Sequence, residues 1–343
     1  MHLSIPEPAS AGLILSYKCN SRCQHCMYAC EPDWNPNWIS EEQLENTLDQ
    51  IADKIQPAPY GPKTISPNHG LHITGGEPFL NYDLLSLAIE KAASKGIPSL
   101  FVESNCSWCT DEQAALDKLR NLKSKGLEGI LISVNPFYLE YTPFENTKRC
   151  IRASKEVFCR NVMIYQRAYY HRFKELGIKE TVPFENYVQM KKSDYVLNNV
   201  EFFMMGRAPY EIPQTLDVFT KKSACKYFDT PCTPPFGRQW HNHFDNYGNY
   251  IPGYCGGISL GKIENLNQIL EEGINTAQKP ILGYLLRNDF KGLFEFAENY
   301  GFKEDPKGYY SKCHLCMEVR KYLNRKGKFD ELSPDEYYEH LNS

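Results

Sequence analysis

Short apolar runs alternate with amphipathic helical segments over the first two-thirds of the chain. The runs lie at 11–16, 71–74, 99–103, 129–134, 161–165 and 200–205, and helices are predicted over 40–55, 82–95, 110–126, 144–157 and 171–192. Ser40 with Gln43, and Thr110 with Gln113, have the spacing of helix-capping pairs. Six strands with helical crossovers predict an α/β fold with a parallel sheet or barrel.

The alternation stops near residue 216. Residues 220–260 are rich in Cys, Pro, Gly, Asn and aromatic side chains, and the run Asn246-Tyr-Gly248-Asn predicts a β-hairpin. The sequence therefore predicts a first domain over 1–215, a small Cys-rich α+β domain over 216–320 and a helical tail over 321–343.

Composition is typical of a globular enzyme. A chain of 343 residues is long enough for two domains, and a net charge of −4 predicts no nucleic-acid partner. The sequence has neither an apolar stretch of membrane-spanning length nor a signal-peptide pattern, so no membrane association is expected. The thirteen cysteines, an odd number, favour metal or thiol chemistry in a reducing cytoplasm over disulfide pairing.

Three closely spaced cysteines follow the first predicted strand. Cys19, Cys23 and Cys26 have the spacing C-x3-C-x2-C, and three thiolates in one loop suit an iron–sulfur cluster. They supply three of the four ligands of a [4Fe–4S] cube, which leaves one iron open to a small molecule. A zinc knuckle or three buried thiols is the alternative.

A second motif follows the second predicted strand. The turn Gly75-Gly76-Glu77-Pro78 comes about 50 residues after the cysteines. Together the two motifs resemble the radical S-adenosylmethionine (radical SAM) superfamily. The resemblance implies a partial (β/α)6 radical SAM barrel whose open iron is chelated by the methionine part of SAM. It also implies that the Gly75–Pro78 turn hydrogen-bonds the SAM amino group.

The same resemblance implies further SAM contacts at the ends of later strands. Asn105 falls in the turn after the third strand, Ser133 and Asn135 follow the fourth strand on the ribose side, and Gly206 lies where relatives meet the adenine. Cys106 stands where many relatives have glycine. Because a thiol S–H bond is weaker than most C–H bonds, Cys106 is the candidate catalytic residue: it would donate a hydrogen atom if the reaction ends by returning hydrogen to the substrate radical.

Four cysteines of the second domain form another complete ligand set. Cys232 and Cys255 flank the predicted hairpin, and Cys313 and Cys316 open the last long helix. This arrangement resembles the auxiliary-cluster twitch and SPASM extensions of radical SAM enzymes and implies a second [4Fe–4S] cluster. A structural zinc on the same residues, and Cys225 in place of Cys232, remain open alternatives.

The resemblance implies an enzyme that cleaves SAM reductively to a 5′-deoxyadenosyl radical. That radical would abstract hydrogen from a small-molecule or peptide substrate, with net oxidation through the second cluster and a flavodoxin- or ferredoxin-type electron donor. One alternative is peptide or protein side-chain modification, or epimerisation, with Cys106 as the hydrogen donor. Another is an iron–sulfur electron-transfer protein that does not use SAM.

Overall fold

The computed structural model describes residues 2–190, 203–232 and 236–342. The chain divides into two compact units. The barrel unit comprises Ala9–Cys23 and Cys30–Phe202, and the cysteine-rich unit comprises Met1–Pro8, Gln24–Ala29 and Phe203–Ser343. The first strand of the chain, β1 (His2–Leu3), belongs to the cysteine-rich unit.

Within its described residues, the barrel unit contains five parallel strands. They are β2 (Ser10–Ile14), β3 (Gly70–Thr74), β4 (Phe101–Ser104), β5 (Gly129–Ser133) and β6 (Val162–Tyr165). Each strand after β2 pairs in parallel with the one before it in the chain. Strands β2 to β5 are almost entirely buried, as expected where helices cover a parallel sheet. The predicted α/β fold with the parallel sheet of a radical SAM partial barrel is confirmed.

Helices form the crossovers between these strands, and two more helices follow β6 within the described part of the barrel unit. They are α1 (Glu41–Ile51), α2 (Tyr82–Ser94), α3 (Glu112–Ser124), α4 (Pro136–Leu139), α5 (Phe144–Phe158), α6 (Arg167–Glu175) and α7 (Phe184–Gln189). Part of the core is a cluster of Ile65, Phe101 and Leu131, against which Met163 packs. The last three come from β4, β5 and β6, so one face of neighbouring strands supplies the cluster.

Three local predictions differ from the structure. Helix α3 is capped by Asp111, whose carboxylate accepts from the Ala114 backbone N–H at 2.8 Å, and not by Thr110; Asp is at least as strong an N-cap as Thr. The helix predicted over 171–192 is two helices in the described part, because Gly177 is left-handed and Pro183 precedes α7. Of the strand predicted over 200–205, residues 200–202 lie outside the described residues and 203–205 are not in a strand.

The cysteine-rich unit combines short strands and helices. The strands β7 (Asn242–Phe244), β8 (Asn249–Ile251) and β9 (Gly261–Lys262) pair antiparallel in sequence, and β10 (Ile274–Asn275) pairs with β1. The helices are α8 (Ala208–Thr215), α9 (Leu266–Glu272), α10 (Pro280–Leu286), α11 (Phe290–Asn299), α12 (Lys312–Asn324) and α13 (Glu336–Glu339).

The predicted hairpin is present between β7 and β8. The Asp245 carboxylate accepts from the backbone N–H groups of Tyr247 and Asn249 at 3.0 and 2.8 Å, and Gly248 is left-handed with φ +72°. Among the described residues, none of the helices has the length and apolar character needed to cross a membrane.

Candidate functional site

The predicted SAM-side residues of the barrel unit lie at the carboxyl ends of its parallel strands. Strand β2 leads to Cys19 and Cys23, β3 to the Gly75–Pro78 turn, β4 to Asn105, and β5 to Asn135. In a parallel sheet these ends share one edge, where α/β proteins usually bind their ligands. The edge therefore gathers residues that are far apart in sequence.

The two glycines of the Gly75–Pro78 turn allow its backbone to contact the segment before Cys19. The Gly76 N–H donates to the Ser16 carbonyl at 2.8 Å, and the Glu77 N–H donates to the Lys18 carbonyl at 3.2 Å. A Cβ on Gly75 would lie 2.4 Å from the Ser16 carbonyl oxygen, and one on Gly76 would lie 1.9 Å from the Lys18 oxygen. Only glycine permits this contact between the two motifs.

The Gly76→Ala variant is expected to separate the two motifs. Its methyl group would overlap backbone atoms that cannot rotate away, so we expect a destabilisation of about 3 kcal/mol or more. Thermal unfolding and SAM-dependent 5′-deoxyadenosine formation measure the effect. Gly237→Ala is the matched control, because a Cβ there meets no atom within 4 Å. Equal behaviour of the two variants would contradict the role of the close contact.

The Glu77 carboxylate binds groups of its own unit. It is buried and accepts from the Asn105 N–H at 2.8 Å, from the Ser104 hydroxyl at 3.0 Å and from the Phe79 N–H at 3.2 Å. Burial raises the pKa of Glu77 to about 7, and these three donors oppose the shift. Glu77 therefore joins the turns after β3 and β4.

Asn105 connects the Glu77 carboxylate to the first cysteine of the motif. Its amide nitrogen lies 3.9 Å from Cys19 Sγ, 3.0 Å from Asn20 Oδ1 and 3.3 Å from Ser21 Oγ. The Ser21 backbone N–H also points to Cys19 Sγ at 3.4 Å. N–H donors toward a sulfur stabilise its thiolate form, the form that ligates iron. The surroundings of Cys19 fit a cluster ligand.

Strand β5 ends in the two residues predicted to face the ribose. Ser133 is half-buried at the last position of the strand. Asn135 is buried and caps α4, because its side-chain oxygen accepts from the N–H groups of Phe137 and Tyr138 at 3.0 and 3.2 Å. This cap fixes the direction in which the chain leaves β5.

Glu103 is a site residue that the sequence analysis did not identify. It is half-buried near the end of β4, accepts from the Thr74 hydroxyl at 2.9 Å, and lies 3.9 Å from His72 Nε2. Burial raises the pKa of Glu103 to about 7. A carboxyl with such a pKa at the ligand-binding edge is a candidate proton carrier. The charged residue inside an otherwise apolar strand was the available signal.

Cys106 lies in a cluster of three buried thiols. Its backbone is left-handed, with φ +66°, a conformation that glycine adopts more readily than other residues. Its thiol hydrogen-bonds with that of Cys150, which also bonds with Cys109, and all three residues are fully buried. Burial raises the pKa of Cys106, so its sulfur keeps its proton. Its role as a hydrogen donor stays a prediction.

The remaining cysteine of the first motif belongs to the cysteine-rich unit. The Cys26 carbonyl accepts from the Arg207 N–H at 3.1 Å, and Gly206 packs on the Cys26–Met27 backbone, where a Cβ would come within 2.3 Å of the Cys26 oxygen. Burial, with the nearby Arg207 charge, lowers the pKa of His25 to about 3, so the ring is neutral. Gly206 therefore contacts a cysteine motif that lies much earlier in the sequence.

The four cysteines predicted to form the second ligand set interact within the cysteine-rich unit. Burial raises the pKa of Cys232 to about 11 and that of Cys313 to about 12. In each case the nearby Cys316 sulfur is the second cause and raises the pKa further. Burial also raises the pKa of Cys255 well above its usual range, and the nearby Cys232 sulfur is the second cause of this increase. Cys225, by contrast, is exposed and contacts Ser223.

Two buried cations accompany these four thiols. The Arg320 and Lys312 charges both act on Cys232 and Cys313, where they lower the pKa, and Arg320 does the same at Cys255. Arg320 donates to the Gly256 carbonyl at 2.9 Å, while its Nε–H has no partner among the described residues. Buried cations need compensating negative charge, which thiolates bound to a metal or cluster supply. The residues therefore fit a thiolate-ligated group.

Comparison with known proteins identifies the class of the first unit. Residues 13–169 match the family model of the Radical SAM superfamily, so this stretch is a radical SAM domain. A GTP 3′,8-cyclase from Aquifex aeolicus (strain VF5) is 28% identical over 211 residues, which cover 60% of this chain. The match spans 56% of that relative, so this chain covers only about half of its length.

Two solved structures of S-adenosylmethionine complexes are also similar. BtrN in complex with AdoMet and 2-DOIA has a TM-score of 0.45 and 13% identity, and covers 84% of this chain and 90% of its own. The protein anSMEcpe with bound AdoMet has a TM-score of 0.44 and 14% identity, and covers 93% of this chain and 98% of its own.

Proposed function

We propose that this protein is a radical SAM enzyme that abstracts hydrogen from a small-molecule or peptide substrate, with net oxidation through a second [4Fe–4S] cluster. Cys19, Cys23 and Cys26 would hold the first cluster, and Cys232, Cys255, Cys313 and Cys316 the second. When bound, the first cluster supplies the electron that cleaves SAM to a 5′-deoxyadenosyl radical. A flavodoxin- or ferredoxin-type protein would deliver that electron.

One set of contacts in the barrel unit carries this proposal. The Gly75–Pro78 turn is hydrogen-bonded to the segment before Cys19, and Glu77 holds Asn105, whose side chain lies beside the Cys19 sulfur. The two motifs are 49 residues apart between Cys26 and Gly75, yet they form one connected arrangement. An electron-transfer protein that does not use SAM would not need this connection between the turn and the cysteine loop.

The chain's own residues have distinct tasks in this proposal. Gly75 and Gly76 bring the turn's backbone close to the cysteine loop, where it can bind the SAM amino group. Glu77 holds the turn rigid by accepting three hydrogen bonds.

Glu103, with a pKa of about 7, can hold or release a proton at its carboxylate near neutral pH. Ser133 and Asn135 would orient the ribose, and Gly206 the adenine.

The charges around the four later cysteines support a second cluster. Four thiolates are a complete ligand set for a cube, so that cluster would have no open iron for substrate. Electron transfer is then its natural task, and net oxidation of the substrate follows. Structural zinc is the competing occupant, because zinc also accepts four thiolates.

One relative bears on the class of substrate. The relative named GTP 3′,8-cyclase acts on a nucleotide by its name, which favours a small molecule over a peptide. Its match covers only 56% of its length, so the nucleotide itself is not carried over to this chain.

Anaerobic reconstitution tests the proposed function. Iron is counted, and 5′-deoxyadenosine is measured after addition of dithionite and SAM. We expect about eight irons per chain and SAM-dependent formation of 5′-deoxyadenosine. Iron without SAM cleavage would favour the electron-transfer alternative.

Cys106→Ala distinguishes net oxidation from hydrogen return. The burial of Cys106 against Cys109 and Cys150 favours oxidation, since a donor must reach the substrate. We expect the variant to consume SAM and form product within about twofold of the wild type, because deletion of one sulfur at a buried turn affects mainly stability. Chromatography of the products measures this. Continued SAM cleavage with shunt products, or loss of an inverted centre, would instead establish Cys106 as the donor.

A further inference from the structure

Arg238 of the cysteine-rich unit is a buried arginine held between two aromatic rings. Its guanidinium carbon lies 4.2 Å from the ring centres of both Trp240 and Tyr254, and the residue is only 7% exposed. Stacking on aromatic faces orients a guanidinium and leaves its N–H groups directed outward from its edge. The rings therefore hold the charge but satisfy none of its hydrogen-bond donors.

The edge formed by Nε and Nη2 of Arg238 has no acceptor in the part of the chain that the structure describes. Both nitrogens are buried, and neither has a hydrogen-bond partner among the described residues. These two N–H groups are the pair with which arginine binds two oxygens side by side. Arg152 of the same chain uses the same pair on Glu112, at 3.2 and 2.8 Å. A buried charged donor pair without an acceptor is costly, which indicates that a ligand supplies the oxygens.

The surrounding backbone holds Arg238 in place. The Asn242 side chain donates to the Arg238 carbonyl at 3.3 Å and accepts from the Gly253 N–H at 3.2 Å. Gly253 has φ +51°, and a Cβ at this position would lie 2.4 Å from Nη2. The position of the guanidinium thus depends on a glycine and on two hydrogen bonds to one asparagine. Such a preorganised donor pair binds an anion with little loss of side-chain entropy.

Two aromatic side chains of this cluster are partly exposed. Trp240 is 36% exposed, and Phe203, which stacks on Tyr254 at 5.2 Å, is 38% exposed. Aromatic side chains that remain exposed beside an oriented polar group are typical of ligand sites. They suit a ligand that carries an apolar or planar part next to its anionic group.

We propose that Arg238 binds an anionic group with two adjacent oxygens, a carboxylate or a phosphate, on a ligand with an apolar or planar part. The site goes beyond the proposed SAM chemistry, because its binding requires neither cluster reduction nor SAM.

Calorimetric titration of the reconstituted full chain tests the proposal without SAM or reductant. The probes are benzoate, phenyl phosphate and, as the uncharged match, benzamide. We expect one of the two anions to bind with one-to-one stoichiometry and at least about tenfold more tightly than benzamide. The stronger of benzoate and phenyl phosphate identifies the anionic group. Equal binding of all three probes, or no anion binding by the wild type, would overturn the proposal.

Arg238→Lys keeps the charge but removes the paired donors. We expect it to weaken binding of the preferred anion roughly tenfold, because lysine cannot form the planar bidentate contact. Arg152→Lys is the matched control, since its donor pair already binds Glu112 on the surface, and its affinity should equal that of the wild type. Iron content and melting temperature verify that both variants are folded. Unchanged affinity in folded Arg238→Lys would contradict the assignment.

Discussion

Replacement of Cys19, Cys23 and Cys26 by alanine is expected to reduce 5′-deoxyadenosine formation to the level of a protein-free reaction. The triple variant removes every protein ligand of the first cluster, so no open iron remains to bind SAM and no electron reaches it. We expect the variant to lose about four of about eight irons and to retain the others. Anaerobic reconstitution, iron determination and chromatography of the SAM products measure these quantities.

The exposed Cys159 provides the control for this variant. Cys159→Ala removes a thiol that lies outside both predicted ligand sets, and it should retain all of the iron and the full rate of SAM cleavage. Undiminished 5′-deoxyadenosine formation by the triple variant would refute the assignment of these cysteines. Loss of all the iron in that variant would show that the two ligand sets are not independent.

Replacement of Cys313 and Cys316 by alanine should separate SAM cleavage from product formation. Both cysteines lie in the first turn and a half of α12, and their loss leaves too few thiolates to hold a cube. We expect about four irons to be lost while SAM cleavage continues, because the first ligand set is intact. Substrate turnover should stop if the second cluster accepts the electron.

Single cysteine variants define the second ligand set further. Cys232→Ala should lose the same iron as the double variant, because its half-buried thiol interacts with that of Cys316. Cys225→Ala should keep that iron, since Cys225 is exposed and contacts Ser223. One zinc and four irons in the wild type would establish the structural-zinc alternative. The opposite behaviour of the two variants would assign Cys225 as the ligand.

The sequence pattern predicted most strands and helices of the barrel unit, because the signals for these elements lie within short segments. Five of the predicted strands coincide with β2 to β6 within a few residues, since a short apolar run between polar turns has few other ways to be buried. The predicted cap of α3, Thr110, was wrong because Asp111, at the adjacent position, also offers a side-chain acceptor and caps the helix instead. The break at Gly177 depends on a left-handed backbone, which glycine permits but does not require.

The roles of individual site residues were less accessible. The Gly75–Pro78 turn was expected to bind the SAM amino group, but the Glu77 carboxylate in this turn accepts three hydrogen bonds from residues of its own unit, two of them more than 20 positions away in sequence. Cys106 was singled out by its position, whereas its contact with Cys150 joins a turn to a distant helix. Arg238 carried no sequence signal at all, because an unsatisfied donor pair is a property of its surroundings.

The sequence by itself determined the α/β class, the turn that follows β3, the position of each cysteine group and the hairpin between β7 and β8. Spacing and side-chain type suffice there, because each signal lies within a short segment. Only the tertiary structure decided which groups donate hydrogen bonds to Glu77, which thiols surround Cys106, and that the Nε and Nη2 groups of Arg238 meet no acceptor among the described residues. Those outcomes depend on burial and on contacts between segments far apart in the chain, where desolvation determines which groups must be paired.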